Sequence, residues 1–429
     1  MAQWHQGFWE ADTTGVPRRE RRSGQFWWYA PDRVVGQPFV VDAAQSRRIA
    51  AVERRIRSLD GPGADVLSSV SRFLLRSEAI ASSRIEGVAP SATQVALAEL
   101  GRTEQVHGLS EQARLVANNL TVVQEAAGRL AASDTVTVAD LEGLHRALLS
   151  EEPHLHGIRT RQNWIGGADH HPIEADFVPP AAHEVLPLIT DLLDYLTGAA
   201  DSPLVQAAVV HAQFETIHPF SDGNGRVGRA LMHTSLARRG LTTTAVLPIS
   251  LVLATRRGDY ITGLARFRYE GSRDAPAAQE ALREWVEIFV DAADDAVTQS
   301  RQILGDILEV RSDWEARIAN HRETQGRTRA LRSDSATARV LEVLTAAPVL
   351  TAHTVTQLFD VSSKSALTAL EELRAAGVLS TRSIGRGAPA YLADDLLDLI
   401  TVVERRLAST RFDTRVSAPN RAVPARPGS

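Results

Sequence analysis

The sequence of 429 residues contains no cysteine. Disulfide bonds, thiolate metal ligands and thiol nucleophiles are therefore excluded, and the composition suits a reducing compartment. The chain also has no apolar run that approaches the length of a membrane span. Its first residues, "MAQWHQGFWEADTTG", lack the basic and then apolar regions of a secretion signal. We therefore expect a cytoplasmic protein with no membrane partner.

Neither sign of charge dominates the chain. Forty-seven lysines and arginines face 52 aspartates and glutamates, which leaves a net charge of -5. This balance argues against a surface that is positive all over, as nucleic-acid coating would need, although a local basic patch stays open. The hydrophobic share of 44% is ordinary for a globular protein. The length exceeds that of one compact core, so two or three domains are expected.

The first part of the chain changes character near residue 43. Residues 1–42 are expected to be an irregular strap that packs on a later domain, because four of the seven tryptophans lie there (Trp4, Trp9, Trp27 and Trp28). Helical spacing of apolar residues then begins and dominates to about residue 320. We divide it into an N-terminal helical region, 43–110, and a core, 111–320.

The C-terminal part has another pattern. Three short helical segments and two strand-like runs around a glycine-rich turn predict a winged-helix domain over residues 333–410. Lys364, Arg374, Arg382 and Arg386 lie outside its apolar face and form a weak footprint for DNA. The alternative is a domain that only packs or dimerises. The proline-rich tail, 411–429, has no apolar periodicity and is expected to be disordered.

The stretch "HPFSDGNGRVGR", residues 218–229, concentrates reactive groups between two predicted helices. Pro219 ends the first helix with His218 at its end, and the second is expected from about Asn224 to Arg239. The loop thus leads into a helix N-terminus, where free amides and the dipole favour an anion. Gly223 and Gly225 allow the backbone to approach a phosphate closely.

The side chains of this stretch add chemistry to the anion site. Arg226 and Arg229, one helical turn apart, can reach further phosphate oxygens. Asp222 is a hard oxygen ligand suited to Mg²⁺. His218 can accept a proton from an incoming hydroxyl near neutral pH. The constellation predicts nucleotidyl or phosphoryl transfer to a hydroxyl, and its plain alternative is a glycine-rich turn with a capping aspartate and a surface histidine.

These residues match the Fic motif, H-P-F-x-[DE]-G-N-G-R-x-x-R, at every specified position, and the chain resembles the Fic family over about residues 27–320. The resemblance implies a mainly α fold: an all-helical core with a small β-hairpin flap. It further implies transfer of AMP from ATP to a Ser, Thr or Tyr hydroxyl of a protein, with automodification as an option. The implied roles are those of base (His218), core anchor (Phe220), Mg²⁺ ligand (Asp222), phosphate cradle (Gly223, Asn224 and Gly225) and β- and γ-phosphate ligands (Arg226 and Arg229).

A second match lies upstream. Ser82, Glu86 and Gly87 fit the pattern [ST]-x-x-x-E-[GN], which is similar to the inhibitory helix of Fic proteins. A carboxylate paired with Arg229 would remove the partner of the γ-phosphate and leave ATP in an unproductive pose. The plain alternative is an exposed residue at a helix end, followed by a capping glycine.

Residues 157–180 interrupt the helical pattern with many turn residues and predict a hairpin or loop. Trp164, Ile165, Gly166 and Gly167 resemble the flap that pairs with a target's backbone in the Fic family. Four histidines in or near this segment (His154, His156, His170 and His171) raise the question of a transition-metal site. Their spacing lacks the i, i+4 pattern of helical ligands, and polar flap residues are the alternative.

Other functions stay open at this stage. The chain could be a DNA-binding regulator whose Fic core senses nucleotide. It could also be a Fic enzyme that removes AMP or transfers another phosphate-containing group. The sequence does not specify the target protein, the base of the nucleotide, or whether the chain forms a homodimer.

Overall fold

The computed structural model describes residues 1–11, 16–37, 39–60, 64–243, 245–327, 329–385 and 389–410. The predicted tail, 411–429, and Arg386 lie outside these residues. The fold is mainly α, as the sequence predicted. It divides into two compact units, the first comprising Met1–Leu304 with the short segments Thr345–Ala347 and Ile384–Ala388, and the second comprising the remainder from Gly305.

The first unit is built almost entirely from helices. They are α1 (Ala43–Arg57), α2 (Ala64–Ile85), α3 (Ala92–Leu100), α4 (Glu111–Glu125), α5 (Val138–Leu148), α6 (Ala182–Thr197), α7 (Pro203–Ile217), α8 (Asn224–Arg238), α9 (Ile249–Thr255) and α10 (Arg257–Phe267). A further helix, α11 (Pro276–Thr324), begins in the first unit and ends in the second. A π-helical turn, Ala126–Leu130, extends α4.

Polar side chains fix where several of these helices begin. Asp42 accepts a hydrogen bond from the amide of Gln45 at the start of α1. Ser91 and Gln94 form a reciprocal capping box at the start of α3. Each cap satisfies amides that have no partner within the first turn of the helix, so these starts are encoded locally.

Helix α7 lies at the centre of the first unit. Every residue from Leu204 to Ile217 is buried, as expected for a helix that is apolar nearly all round. It packs against α6 and α8. On another side, Trp285 of α11 is fully buried and donates its indole hydrogen to the carbonyl of Ala208 at 2.8 Å. The two helices that flank the motif are therefore fixed by the core itself.

The N-terminal segment is not irregular, and that prediction was wrong. Strands β1 (Gln3–Trp9) and β2 (Gly24–Ala30) form an antiparallel pair with Gln3 opposite Ala30. The aromatic residues that were interpreted as a strap favour strands, where alternate side chains share one face. On that face Trp4 and Tyr29 pack against Phe177, and the amide of Tyr29 donates to the carbonyl of Val178 at 3.0 Å.

Residues 157–180 contain no helix and double back on themselves. Antiparallel bridges join Ile165 with Phe177 and Ala168 with His171. The amide of Ile165 donates to the carbonyl of Phe177 at 2.8 Å, and the amide of Asp176 donates to the carbonyl of Ile165 at 2.9 Å. We call this segment the flap segment. It meets the N-terminal hairpin through Phe177 and Val178.

The second unit combines short helices with a small sheet. Its elements after α11 are α12 (Ala336–Val343), β3 (Val349–Leu350), α13 (Ala352–Phe359), α14 (Ser363–Ala375), β4 (Ser380–Arg382), β5 (Ala390–Leu392) and α15 (Asp394–Thr410). The strand order is β3-β5-β4, antiparallel throughout. Three helices precede a strand pair, in the order expected from the sequence, whereas β3 and α15 had not been predicted. The winged-helix assignment stays a prediction.

No membrane-spanning candidate occurs in the part of the chain that the structure describes, since no helix there is both long and apolar enough.

Trp285→Phe is expected to lower the free energy of unfolding by about 2 kcal/mol, because it removes buried volume and the only hydrogen that the side chain can donate. Trp27 is 56% exposed and provides the matched control. Trp27→Phe should change stability by less than about 0.5 kcal/mol. Urea unfolding of the full chain, followed by circular dichroism, gives both values. Equal shifts in the two variants would contradict the central role assigned to Trp285.

Candidate functional site

The candidate base lies where α7 ends. His218 follows the helix in the left-handed conformation, with φ 50°. Non-glycine residues rarely adopt this region, so surrounding contacts must hold the residue there. Its amide still donates to the carbonyl of Phe214 at 2.8 Å, and its own carbonyl accepts from Nε of Arg159 at 2.9 Å. Pro219 prevents the helix from continuing, as the sequence predicted.

The loop that follows is held from several sides. The side chain of Asn224 accepts from the amide of Phe220 and donates to its carbonyl, both at 2.8 Å. The ring of Phe220 is fully buried and stacks on His145 of α5, with 3.8 Å between ring centroids. Nε2 of His145 donates to the carbonyl of Asp222 at 3.0 Å. The loop is thus fixed at both of its ends and in its middle.

Glycine is needed at the start of α8 for two different reasons. Gly223 has φ 77°, and a Cβ there would lie 2.9 Å from a methyl group of Leu148. A Cβ on Gly225 would overlap the Glu86 carboxylate and lie 2.9 Å from Nη1 of Arg229. The N-cap of this helix, Gly223, has no side chain to cap the amides of the first turn, while its own amide donates to Oδ1 of Asp222 at 2.6 Å.

Arg226 provides a buried positive charge with unused donors. Its side chain is 3% exposed, and its Nε and Nη1 have no hydrogen-bond partner among the described residues. Nη2 lies 3.5 Å from a carboxylate oxygen of Asp222, whose side chain is mostly exposed. Burial lowers the pKa of Arg226, although guanidinium groups stay charged in proteins. Buried donors without partners are costly, so this residue fits an anionic ligand.

Arg229 forms an ion pair with a carboxylate of the same chain. Its Nη2 lies 2.7 Å from Oε1 of Glu86, and it also binds Ser82 through Nε to the hydroxyl at 2.9 Å and Nη2 to the carbonyl at 2.8 Å. Both partners come from the C-terminal turn of α2, which Gly87 ends with φ 81°. The structure therefore brings the upstream pattern and the motif together in one ion pair.

The charges of this pair shift its pKa values in opposite directions. Burial opposes ionisation of Glu86, but the charges of Arg229 and Arg226 outweigh it and hold the pKa of the carboxyl below its usual value. Burial also opposes the charge on Arg229, and the Glu86 carboxylate outweighs it, so the pKa of Arg229 lies above its ordinary value. The pair is ionised at neutral pH.

The imidazole of His218 is neutral at the same pH. Burial lowers its pKa to about 4, helped by the positive charges of Arg159 and Arg268 and opposed by Glu86. Its Nδ1 is buried without a hydrogen-bond partner among the described residues. Nearby, burial raises the pKa of Glu215 to about 7, against the attraction of Arg229. The neutral imidazole has a lone pair that can accept a proton, while burial and the neighbouring cations lower its basicity.

The flap residues lie close to the N-terminal hairpin. The indole of Trp164 donates to the carbonyl of Ala168 at 2.8 Å and meets Trp9 edge to face, with ring centroids 5.4 Å apart. Gly166 and Gly167 both have positive φ, at 72° and 74°. A Cβ on Gly167 would lie 2.5 Å from the carbonyl oxygen of Glu174, so the turn requires glycine. Ile165 remains partly exposed.

The described residues contain no group of three or more histidines, aspartates and glutamates placed to hold a metal ion. Nε2 of His156 donates to the carbonyl of Leu149 at 2.7 Å, and Nε2 of His170 lies 3.7 Å from a carboxylate oxygen of Glu20. Asp222 is a different case, because Mg²⁺ binds through one or two protein carboxylates together with substrate phosphates and water. A single exposed carboxylate at the mouth of an anion site fits that ion.

Sequence reasoning missed several residues that the fold brings to this site. Arg159 and Asn163 both donate to the carbonyl of His218, and His145 holds Asp222. The hydroxyl of Tyr260 lies 3.5 Å from Nη1 of Arg229. None of these residues stands at a fixed spacing from the motif. Only "GIRTRQNW", with its two arginines beside the flap segment, offered a signal.

Residues 135–236 match the Fic/DOC family, and this match spans α5, the flap segment, α6, α7 and most of α8. This part of the chain is therefore similar to the Fic/DOC family, within a fold that is mainly α.

Among curated proteins, the chain is similar to the protein adenylyltransferase Fic of Nematostella vectensis, with 32% identity over 139 residues, 32% of this chain and 29% of the relative. It is also similar to a probable protein adenylyltransferase of Aquifex aeolicus, with 40% identity over 72 residues, 17% of this chain and 22% of the relative. The chain spans less than a third of the length of these relatives.

Solved structures include a similar fold in a Fic family protein from Desulfovibrio desulfuricans G20. The similarity covers 83% of this chain and 97% of that one, at 22% identity and a TM-score of 0.48.

Glu86→Gln is expected to destabilise the protein by about 1 to 2 kcal/mol at pH 7, less than for a fully buried pair because Glu86 is 38% exposed. The pKa of Glu86 is depressed in the folded state, so its contribution is present above the ordinary value of 4.5 and is lost as the pH falls through the folded value. Melting temperatures of the variant and the wild type should therefore converge as the pH is lowered from 7 through the folded-state pKa of Glu86.

Glu280→Gln is the control for this comparison, since Glu280 forms an exposed pair with Arg283. Its melting temperature should follow that of the wild type closely at both pH values. A difference between Glu86→Gln and the wild type that persists unchanged in acid would contradict the pairing assigned to Arg229.

Proposed function

We propose that the protein is a Fic-type protein adenylyltransferase that transfers AMP from ATP to a hydroxyl of a protein. We also propose that Glu86 keeps this enzyme inactive. The observation that carries this proposal is the occupation of Arg229 by Glu86 at 2.7 Å beside a neutral His218. The adenylyltransferase names of the relatives support the reaction class.

The phosphates of ATP would bind where the motif leads into α8. Amides of Gly223, Asn224 and Gly225 and the unused donors of Arg226 would hold phosphate oxygens. Arg229 would hold the γ-phosphate once Glu86 has left it. Asp222 would bind Mg²⁺ shared with the phosphates, and that ion supplies charge neutralisation for the leaving diphosphate.

His218 would act as the general base. Its neutral imidazole takes the proton of the target hydroxyl as the hydroxyl oxygen bonds to the α-phosphorus. The bond from that phosphorus to the bridging oxygen breaks at the same time, and pyrophosphate leaves. The buried cations that keep the imidazole neutral before the reaction also limit its basicity, so accurate positioning must supply much of the rate.

Glu86 would inhibit this reaction by occupying the place of a phosphate. Its carboxylate neutralises Arg229 and lies where a Cβ of Gly225 would be, so the same space cannot also hold the γ-phosphate. Release of the C-terminal turn of α2 would free both the charge and the volume. Gly87, with its positive φ, is the natural end of that movable turn.

The flap segment would hold the target. We expect an extended segment of a target to pair with the flap backbone next to Ile165, whose side chain is exposed, near the positive-φ glycines Gly166 and Gly167. Such pairing recognises the backbone and does not require a particular side chain next to the modified hydroxyl.

Incubation with Mg²⁺ and ATP labelled at the α-phosphate tests the reaction. Label on protein, with cell lysate as a source of targets, is expected to rise about tenfold or more in Glu86→Gly over the wild type. Glu86→Gly combined with His218→Ala should fall about a hundredfold from that level. Glu86→Gln keeps the volume without the charge and should lie between the wild type and Glu86→Gly.

The pattern of label separates the alternatives. Activation that His218→Ala does not reduce would leave inhibition by Glu86 but contradict the base. Absence of label in all variants would contradict AMP transfer. The same variants, tested with other labelled nucleotides and with a target that already carries AMP, would then show whether the site transfers another group or removes AMP.

The alternative of a DNA-binding regulator depends on the second unit. The order of its helices and strands supports it, whereas its charges offer little, because Arg374 forms an ion pair with Glu371 at 2.7 Å. Lys364 and Arg382 remain exposed. A mobility shift of genomic duplex DNA by the full chain at low salt, reduced by Lys364→Ala with Arg382→Ala, is the result this alternative requires. No shift with or without ATP would exclude it.

A further inference from the structure

Arg159 is a buried arginine at the start of the flap segment, with 4% exposure. Its side chain donates only to backbone carbonyl oxygens. They belong to His218 (2.9 Å from Nε), Arg161 (3.1 Å from Nη1), Pro180 (2.5 Å from Nη2) and Ile217 (3.4 Å from Nη2). Its amide also donates to the carbonyl of Pro219 at 2.9 Å. One residue therefore holds three consecutive carbonyls around the candidate base.

No carboxylate among the described residues forms an ion pair with Arg159. Burial lowers the pKa of this guanidinium to about 10, so it remains charged at neutral pH. A buried cation without an anion is unfavourable unless its hydrogen bonds are satisfied, and here carbonyl dipoles do so. Charge neutralisation does not explain why an arginine occupies this position. The explanation is the rigid fork of the guanidinium, which fixes several acceptors relative to each other.

The acceptors of this fork come from two places that matter for the proposed reaction. His218 is held in a left-handed conformation that a histidine rarely adopts, and Arg159 binds its carbonyl and both neighbouring carbonyls. Pro180 ends the flap segment directly before α6. A displacement of the end of the flap segment must therefore strain the contacts that hold His218.

We infer that Arg159 is the positioning residue of the candidate base: it keeps His218 in its left-handed conformation and links that residue to the end of the flap segment. This inference rests on the proposed function. It adds that binding of a target along the flap segment and alignment of the base are coupled through one side chain. Arg159 does not contact the reacting atoms.

The pKa of His218 distinguishes a positioning role of Arg159 from a purely structural one, because it depends on the charges around the imidazole. The positive groups that lower the pKa of His218 are Arg159 and Arg268, the latter stacked 3.4 Å over the ring of Phe177. Glu86 acts in the opposite direction. Removing the charge of Arg159 should therefore raise the pKa of His218 from about 4, whereas a variant that only loosens the core should not.

The test compares three variants in the Glu86→Gly background. Arg159→Gln loses the charge and the fork, and Arg159→Lys keeps the charge but loses the fork. Arg238→Gln is the matched control, because Arg238 also donates to several backbone carbonyls, those of Leu130, Ala131, Ser133 and Asp134, away from the site. Thermal melting of each variant measures the structural cost alone.

Kinetics should separate position from stability. Both Arg159 variants are expected to lower kcat about tenfold to a hundredfold with the KM for ATP changed less than about twofold, because a small displacement of the base affects the chemical step. Arg238→Gln should lower the melting temperature by a similar amount and leave kcat unchanged. An unchanged kcat in Arg159→Gln, or an equal loss in Arg238→Gln, would overturn the inference.

Two further measurements need no turnover and use the wild-type background. The imidazole resonance of His218, identified by its absence in His218→Ala, should titrate at higher pH in Arg159→Gln and near the wild-type value in Arg159→Lys. Amide hydrogen exchange of Ile165 and Phe177 should accelerate in both Arg159 variants and not in Arg238→Gln. Exchange and titration that match the Arg238→Gln control would reject the link between base and flap segment.

Failure of the proposed adenylyltransferase function would give a different set of results from failure of the inference about Arg159. If Glu86→Gly transfers no AMP, the kinetic comparison is lost, yet the titration of His218 and the exchange of the flap segment still report whether Arg159 holds them. Transfer by Glu86→Gly together with unchanged kcat, titration and exchange in Arg159→Gln would retain the adenylyltransferase and reject the positioning role.

Discussion

The ion pair of Arg229 with Glu86 is the interaction on which the candidate site depends. The guanidinium of Arg229 is 1% exposed, and its burial is compensated by the carboxylate of Glu86, the residue directly after α2. The same two helices meet again one turn further on, where His233 lies 2.8 Å from the buried carboxylate of Glu78. Ser82 and Glu78, four residues apart on α2, thus face Arg229 and His233, four residues apart on α8. Their register is set by charge and hydrogen bonding as well as by packing.

The loop before α8 shows how rigid elements prepare a site for charge. Its backbone is bound by four side chains: Asn224 inside the motif, His145 on α5, and Arg159 and Asn163 in the flap segment. Each contact is made to a main-chain group, so the loop keeps its shape while Nε and Nη1 of Arg226 stay without a partner among the described residues. Preorganised donors of this kind need little rearrangement when charge develops.

The part of the site that lies in one stretch of sequence could be predicted, and the part assembled by packing could not. The geometry of residues 218–229 follows from the positions of two residues, since Pro219 ends one helix and Gly223 begins the next. The inhibitory role of Glu86 was predicted because its short pattern occurs in the same chain as the Fic motif. Arg159, His145 and Tyr260 have no such spacing, because they reach the site only through the arrangement of separate elements. The sequence therefore predicts the candidate ligand-binding residues but not the residues that hold them in place.

Local rules failed in the N-terminal segment for a related reason. Gly7 of β1 faces the ring of Phe26 of β2 so closely that a Cβ on Gly7 would lie 2.7 Å from it. The glycine hides the alternation that marks a strand, while the cross-strand partner supplies the missing bulk. Strand β3, with two residues, is too short to give any periodic signal.

Gly225 has a consequence for how this protein can change over evolutionary time. Its missing side chain leaves the space that the Glu86 carboxylate occupies, and the same bare backbone is what a phosphate would approach. Any larger residue there would expel both at once. On the proposed mechanism, regulation cannot be lost at this position without losing the reaction. Constitutively active descendants must therefore arise by changes in α2, which makes that helix the place where lineages can diverge in control while the catalytic stretch stays the same.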